Sequence, residues 1–171
     1  MSLFDKKKDK GTLVIHLNMK ALEHADKGGE AFRAGKLEEA QKEFQEALRL
    51  EPETSEAHFG MGMISQQKGL LDEAAVSYRR AIQADPSNTN AMFNLGSIHI
   101  FQHDFEQGIN MFKLLSELTP EDPQVFLNLG SAYLSSGQSE SAISALEDAL
   151  GLDPNYVKAQ ILMAQAKQKR K

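Results

Sequence analysis

The chain has 171 residues, a formal net charge of −5 and no cysteine. That length can bury a core if neighbouring segments stack, while the lack of cysteine excludes a disulfide framework, a thiolate metal site and a cysteine nucleophile. No run approaches the roughly 20 apolar residues of a membrane span, and the charged start does not read as a secretory signal, so a cytoplasmic location without membrane insertion is expected.

The charge is unevenly spread. Residues 1–20 carry a net +3 and residues 157–171 a net +5, which leaves −13 on the stretch between them. An acidic body is unsuited to nucleic acid. Basic ends could dock on the body of another molecule, or they are simply solvated.

Taken in order, the first 20 residues form a basic extension. Gly11-Thr12 can cap a helix with Leu13, Leu17 and Ala21 on one face, although Leu13, Ile15, Leu17 and Met19 also alternate as in a strand. Helix is preferred because its phase runs on into His24.

From Ala21 the chain repeats. Pro52, Pro86, Pro120 and Pro154 are spaced by 34 residues, and four segments follow: 21–54, 55–88, 89–122 and 123–156. A fixed period in this range marks a stacked solenoid. In the second segment, Ser55 can cap a helix with His58, Met61, Gly62 and Ser65 on one face. Gly69 supplies a left-handed turn residue. A second helix then places Ala74, Tyr78, Ala81 and Ile82 together, and Asp85-Pro86 ends it. Each segment is thus a helical hairpin, and no strand competes inside the repeats.

Gly28, Gly62, Gly96 and Gly130 recur at one phase of the first helices, and Ala40, Ala74 and Ala142 at one phase of three second helices. Small residues there let helix axes approach, with Phe44, Tyr78, Phe112 and Leu146 filling the space beside them. Together with the prolines, these residues resemble the tetratricopeptide repeat, whose W-x2-L-G-x2-Y…A-x3-F…P signature they follow in order. The resemblance covers about four fifths of the chain. It implies an all-α solenoid of four helix hairpins in a right-handed superhelix with a concave, ligand-binding inner face.

The third repeat departs most. His103 replaces the turn glycine, and Gly108 and Leu115 stand where the family has alanine. A lost methyl and a gained isobutyl group look compensatory, but helix-interior glycine costs roughly 0.5–1 kcal/mol. This hairpin is expected to be the softest, with faster amide exchange than the second. Residues 157–171 read as the capping helix that covers a solenoid's last apolar face, with Met163 and Ala164 at the packing phase and a basic tail.

No catalytic constellation emerges, so an enzyme is not expected, and neither is a cofactor. Gly60-Met61-Gly62 follows no strand and is not a phosphate loop. His99 and His103 have a metal-compatible spacing, but they occupy the tyrosine and turn positions of their repeat and lack a third ligand; no metal is expected. His24 and His58 fill the core tryptophan position.

A second stripe lies one residue beyond each large packing position: Ala25, Phe59, Phe93, Leu127 and Ile161. Met63 with Gln66, Ser97 with Ile100, and Ser131 with Leu134 continue it. In the family this face lines the inner groove. The resemblance therefore implies a peptide-binding set of Phe59, Met63, Phe93, Ile100, Leu127 and Leu134, with Asn94 and Asn128 offering amides to a peptide backbone; alternatively these side chains tuck between helices. Relatives that grip a chaperone's C-terminal carboxylate carry lysine and arginine in this groove. Here Ala25, Gly29, Asn90 and Asn94 stand at those phases, which disfavours that role.

The expected function is a non-catalytic scaffold or adaptor binding a protein or peptide with apolar anchors. The acidic body suggests a neutral or basic ligand. The competing expectation is self-assembly, in which the apolar-tipped basic ends (Leu3-Phe4, Ile161-Leu162) enter an acidic groove of a second copy.

Overall fold

The structure, a computed structural model, describes the backbone of residues 3–170 and the side chains of residues 15–170; the Leu3-Phe4 tip and the Leu13 side chain, invoked above, lie outside the described side chains. Among the described residues there are nine α-helices and no strand. They form an all-α solenoid of helix hairpins that divides after Asn88 into two compact units.

The first unit contains α1 (Leu3–Arg33), α2 (Leu37–Leu50), α3 (Ser55–Gln67) and α4 (Leu71–Ala84). The second contains α5 (Thr89–Phe101), α6 (Phe105–Leu118), α7 (Pro123–Ser135), α8 (Ser139–Leu152) and α9 (Val157–Lys169). Short turns close the hairpins. Gly35, Gly69 and Gly137 adopt positive φ, and His103 does the same at φ 63°. At each turn a backbone N–H reaches back five residues, as Leu70 N does to Ser65 O at 2.9 Å and Asp104 N to His99 O at 2.8 Å. This is the helix-ending pattern that a left-handed residue permits.

Two local expectations change. The helix α1 runs through Gly11 and Thr12, so these do not cap it, and the alternating pattern of residues 13–19 is not a strand. Ser55 is the first residue of α3, after the N-cap Thr54. Its hydroxyl instead donates to Ala81 O at 2.9 Å and accepts from Asn88 Nδ2 at 2.9 Å, tying the start of α3 to the end of α4. A buried carbonyl near the end of α4 outcompetes the local cap for that hydroxyl.

The first unit is built on Phe44 and Tyr78. A Cβ on Gly28 would lie 2.7 Å from the Phe44 ring, one on Gly60 2.1 Å, and one on Gly62 2.6 Å from the Tyr78 ring. Gly60, which the 34-residue phase had not singled out, therefore lets Phe44 of α2 reach α3. The His58 Nε2–H donates to Pro52 O at 2.8 Å, and His24 Nδ1 meets Glu43 at 2.6 Å. His58 is buried at the tryptophan position, whereas the His24 side chain, 29% exposed, is only part-buried there.

In the second unit Phe112 and Leu146 are buried. A Cβ on Gly130 would lie 2.6 Å from Leu146, and one on Gly108 2.4 Å from Ile100. The helix α9 covers α8 through Ala159, Met163 and Ala166, all buried; Ala164, expected to pack, is exposed. That residue stands at the phase where Gly130 meets its hairpin partner, and no described helix follows α9 to cover it.

Candidate functional site

The stripe splits between the two units. In the first, Phe59 and Met63 are half-buried on α3, with the Phe59 ring 5.7 Å from that of Tyr78 at a 42° tilt. The Tyr78 hydroxyl donates to Gln66 Oε1 at 2.7 Å, and Ala25 is buried in α1. The first repeat supplies no anchor there.

In the second unit, Phe93, Asn94, Ser97 and Ile100 lie half-buried on α5. The Phe93 ring meets Phe112 edge to face at 5.6 Å, and Ser97 Oγ donates to Phe93 O at 2.9 Å. Such aromatic pairs contribute about 0.5–1.5 kcal/mol beyond their buried area. Phe93 therefore supports its hairpin whatever else it touches.

Leu127 is 5% and Leu134 7% exposed, and both belong to the core cluster with Ala142, Leu146 and Met163. Leu134 is not an available groove anchor. One period earlier, Ile100 packs on Gly108, the counterpart of Ala142. These late positions of the first helices face the small residue of their own hairpin partner. Ile100 keeps part of its surface open, whereas Leu134 does not.

Leu127 does present an edge to a groove of about 340 Å³ between α7 and α9. The α7 wall is Gln124, Leu127, Asn128 and Ser131, and the α9 wall is Lys158, Ile161 and Leu162. Ile161 is 54% exposed, the largest open apolar surface of the groove. Asn128 Nδ2 donates to Gln124 O at 2.8 Å, so one of its two amide N–H groups is used within its own helix. The Tyr156 hydroxyl, at the N-cap of α9, donates to Gln124 Oε1 and joins the two walls. Burial, and then the charges of Asp122 and Asp153, push the Tyr156 phenol above its ordinary pKa.

Lys158 is the groove residue that the period reaches last: Asn90 recurs 34 residues on as Gln124 and again as Lys158, in the capping helix.

The remaining candidates resolve into structure. His99 Nδ1 lies 3.2 Å from Asp104 Oδ2, and the His103 ring stacks edge to face on Phe105 at 5.6 Å. Among the described residues no group of three His, Cys, Asp or Glu is placed to hold a metal, and no helix is long and apolar enough to cross a membrane.

Models of the tetratricopeptide repeat match residues 26–89, 65–129 and 123–156. No curated protein matches the chain in sequence. Among solved structures, MamA superposes with a TM-score of 0.80 at 20% identity, over 88% of this chain and 82% of that one. PilF of Pseudomonas aeruginosa gives 0.77 at 24% identity, over 91% and 71%. MamA from Desulfovibrio magneticus RS-1, residue 41 to its end, gives 0.74 at 21% identity, over 88% and 90%. At these identities the likeness is one of fold. With repeat models spanning residues 26–156 and hairpins throughout, the chain belongs to the tetratricopeptide repeat family.

Proposed function

We propose that the protein is a non-catalytic interaction scaffold that binds a protein segment on the groove face of its first helices, with the groove between α7 and α9 as its principal contact. The observation that carries this reading is Ile161, more than half exposed beside Leu127 and Leu162 in a concave wall. Full burial of such a side chain is worth roughly 1.5–3 kcal/mol. Leu127 and Leu134 add little, because folding has already buried them. The half-buried Phe93, in the same unit, would extend the surface.

The test compares wild type with Ile161→Asp as baits. A protein captured from native lysate by wild type, lost with the variant, and bound again in purified form supports the reading. Identical captures from both baits overturn it. Phe93→Glu is a poorer probe, since it also removes the ring contact to Phe112.

Self-association is a second reading, favoured by one observation. Ile15, Met19 and Leu22 are exposed on α1 at i, i+4 and i+7, a single helical stripe within or just beyond the basic extension. A mass that stays monomeric at low salt and high concentration would exclude it.

A further inference from the structure

We infer that the groove between α7 and α9 selects an acidic ligand: an extended segment in which an Asp or Glu side-chain carboxylate meets Lys158 while an apolar side chain, one residue removed, covers Ile161. This rests on the groove reading above and adds the sign and spacing of what the groove takes.

The walls set the charge. The helix α7 carries no charged residue, and α9 carries Lys158, Lys167 and Lys169 with no acid. Of the seven residues lining the groove, Lys158 alone is charged. Among the described residues it forms no ion pair. Asp122 and Asp153 stand just before these two helices, outside the lining; their charges reach the Tyr156 phenol, and each carboxylate is held in its own turn. Asp122 Oδ1 accepts from Gln124 N at 2.8 Å, and Asp153 Oδ1 from Asn155 N at 3.0 Å.

The net charge of the repeats argued for a neutral or basic ligand. Screening decides between the two. At physiological ionic strength the Debye length is about 8 Å, so exposed charges further off are largely screened. A segment lying in the groove responds to its walls rather than to the −13 of the whole body.

Spacing follows from helix geometry. Lys158 and Ile161 are three apart on α9, which brings their Cβ atoms to about 5–6 Å. Residues two apart on an extended strand point the same way and are separated by about 6.6 Å. An acid and an apolar residue flanking one other residue therefore match the pair in register.

The test selects random-sequence peptides on the full chain, with depletion on Ile161→Asp, and resynthesises the winners with amidated C-termini. Enrichment of an acid-x-apolar pattern is expected. Lys158→Glu should then weaken the selected peptide by about tenfold or more, and replacing the peptide's acid by lysine should restore affinity for that variant. A neutral or basic consensus, unchanged affinity for Lys158→Glu, or dependence on a free C-terminal carboxylate would overturn the acidic assignment while leaving an Ile161-dependent groove. No enrichment over Ile161→Asp would bring down the groove reading as well.

Discussion

The Cδ1 atom of Ile100 occupies the space that a side chain on residue 108 would need: a Cβ there would sit 2.4 Å from it and 3.1 Å from the carbonyl oxygen of Gly96. From sequence, the missing methyl of Gly108 had Leu115 as its compensation. The structure gives the place to Ile100 on the facing helix, and Leu115 is buried separately.

Gly108→Ala should accordingly destabilise the protein. Better helix propensity favours alanine by roughly 0.5–1 kcal/mol, but overpacking costs about 1–3 kcal/mol. A net loss of about 1 kcal/mol is expected in urea unfolding. In an Ile100→Ala background the space is open, and the same substitution should become stabilising. A Gly108→Ala protein more stable than wild type would contradict the packing argument. Couplings of this kind between touching residues are what double-mutant cycles detect.

Phe44 is held still more tightly, between Gly28 and Gly60. A Cβ on Gly60 would meet the ring at 2.1 Å, and a phenyl ring cannot fold away as an aliphatic tip can. Gly60→Ala should cost about 3 kcal/mol. Phe44→Leu should lower that cost, since a smaller side chain vacates part of the contact. Thermal or denaturant unfolding reads both, and an unchanged midpoint in Gly60→Ala would show that the ring has somewhere to go.

These contacts mark where the sequence was legible. The period, the hairpins and their turns could be read because Pro52, Pro86, Pro120 and Pro154, with Gly35, Gly69 and Gly137, act on their own backbone. Gly28 and Gly62 could be read as packing residues because every repeat shares their phase. Gly60 could not: its counterparts are Asp26, Asn94 and Asn128, so periodicity is blind to it. Leu134 was misplaced for a related reason. A helical wheel puts it on the groove stripe, but only the convergence of two helices on a turn decides which side of the stripe the hairpin covers. Lys158 is less legible than Ile161, because it stands in a helix whose basic residues read first as a solvated tail.

Tyr156 should titrate late. Burial raises its phenol first, and the charges of Asp122 and Asp153 add to this. A folded-state pKa above the unfolded value means that its contribution to stability is present below about pH 10 and is lost as pH rises through the folded value. Alkaline absorbance titration should place Tyr156 above the exposed-tyrosine midpoint, and Asp153→Asn should bring it only part of the way down. Full return to the ordinary value would mean that charge rather than burial is the main cause. Tyr156→Phe removes the bond to Gln124 and should cost about 1 kcal/mol.

Lys158→Glu should separate stability from binding. Lys158 sits in the first turn of α9, which has no acidic residue there and no side-chain cap at Tyr156. The helix macrodipole places partial positive charge at that end, so a lysine is unfavourable and a glutamate favourable, each by about 0.3–1 kcal/mol at low salt. The variant is therefore expected to unfold at a higher temperature than wild type while losing acidic peptides. Through the macrodipole, then, Lys158 adds nothing favourable to its own helix. Differential scanning calorimetry at low and high salt checks the first half, since added salt should shrink the gain. A Lys158→Glu protein that melts earlier than wild type would mean that Lys158 makes a stabilising contact in the fold, and its role in the groove would then need no ligand.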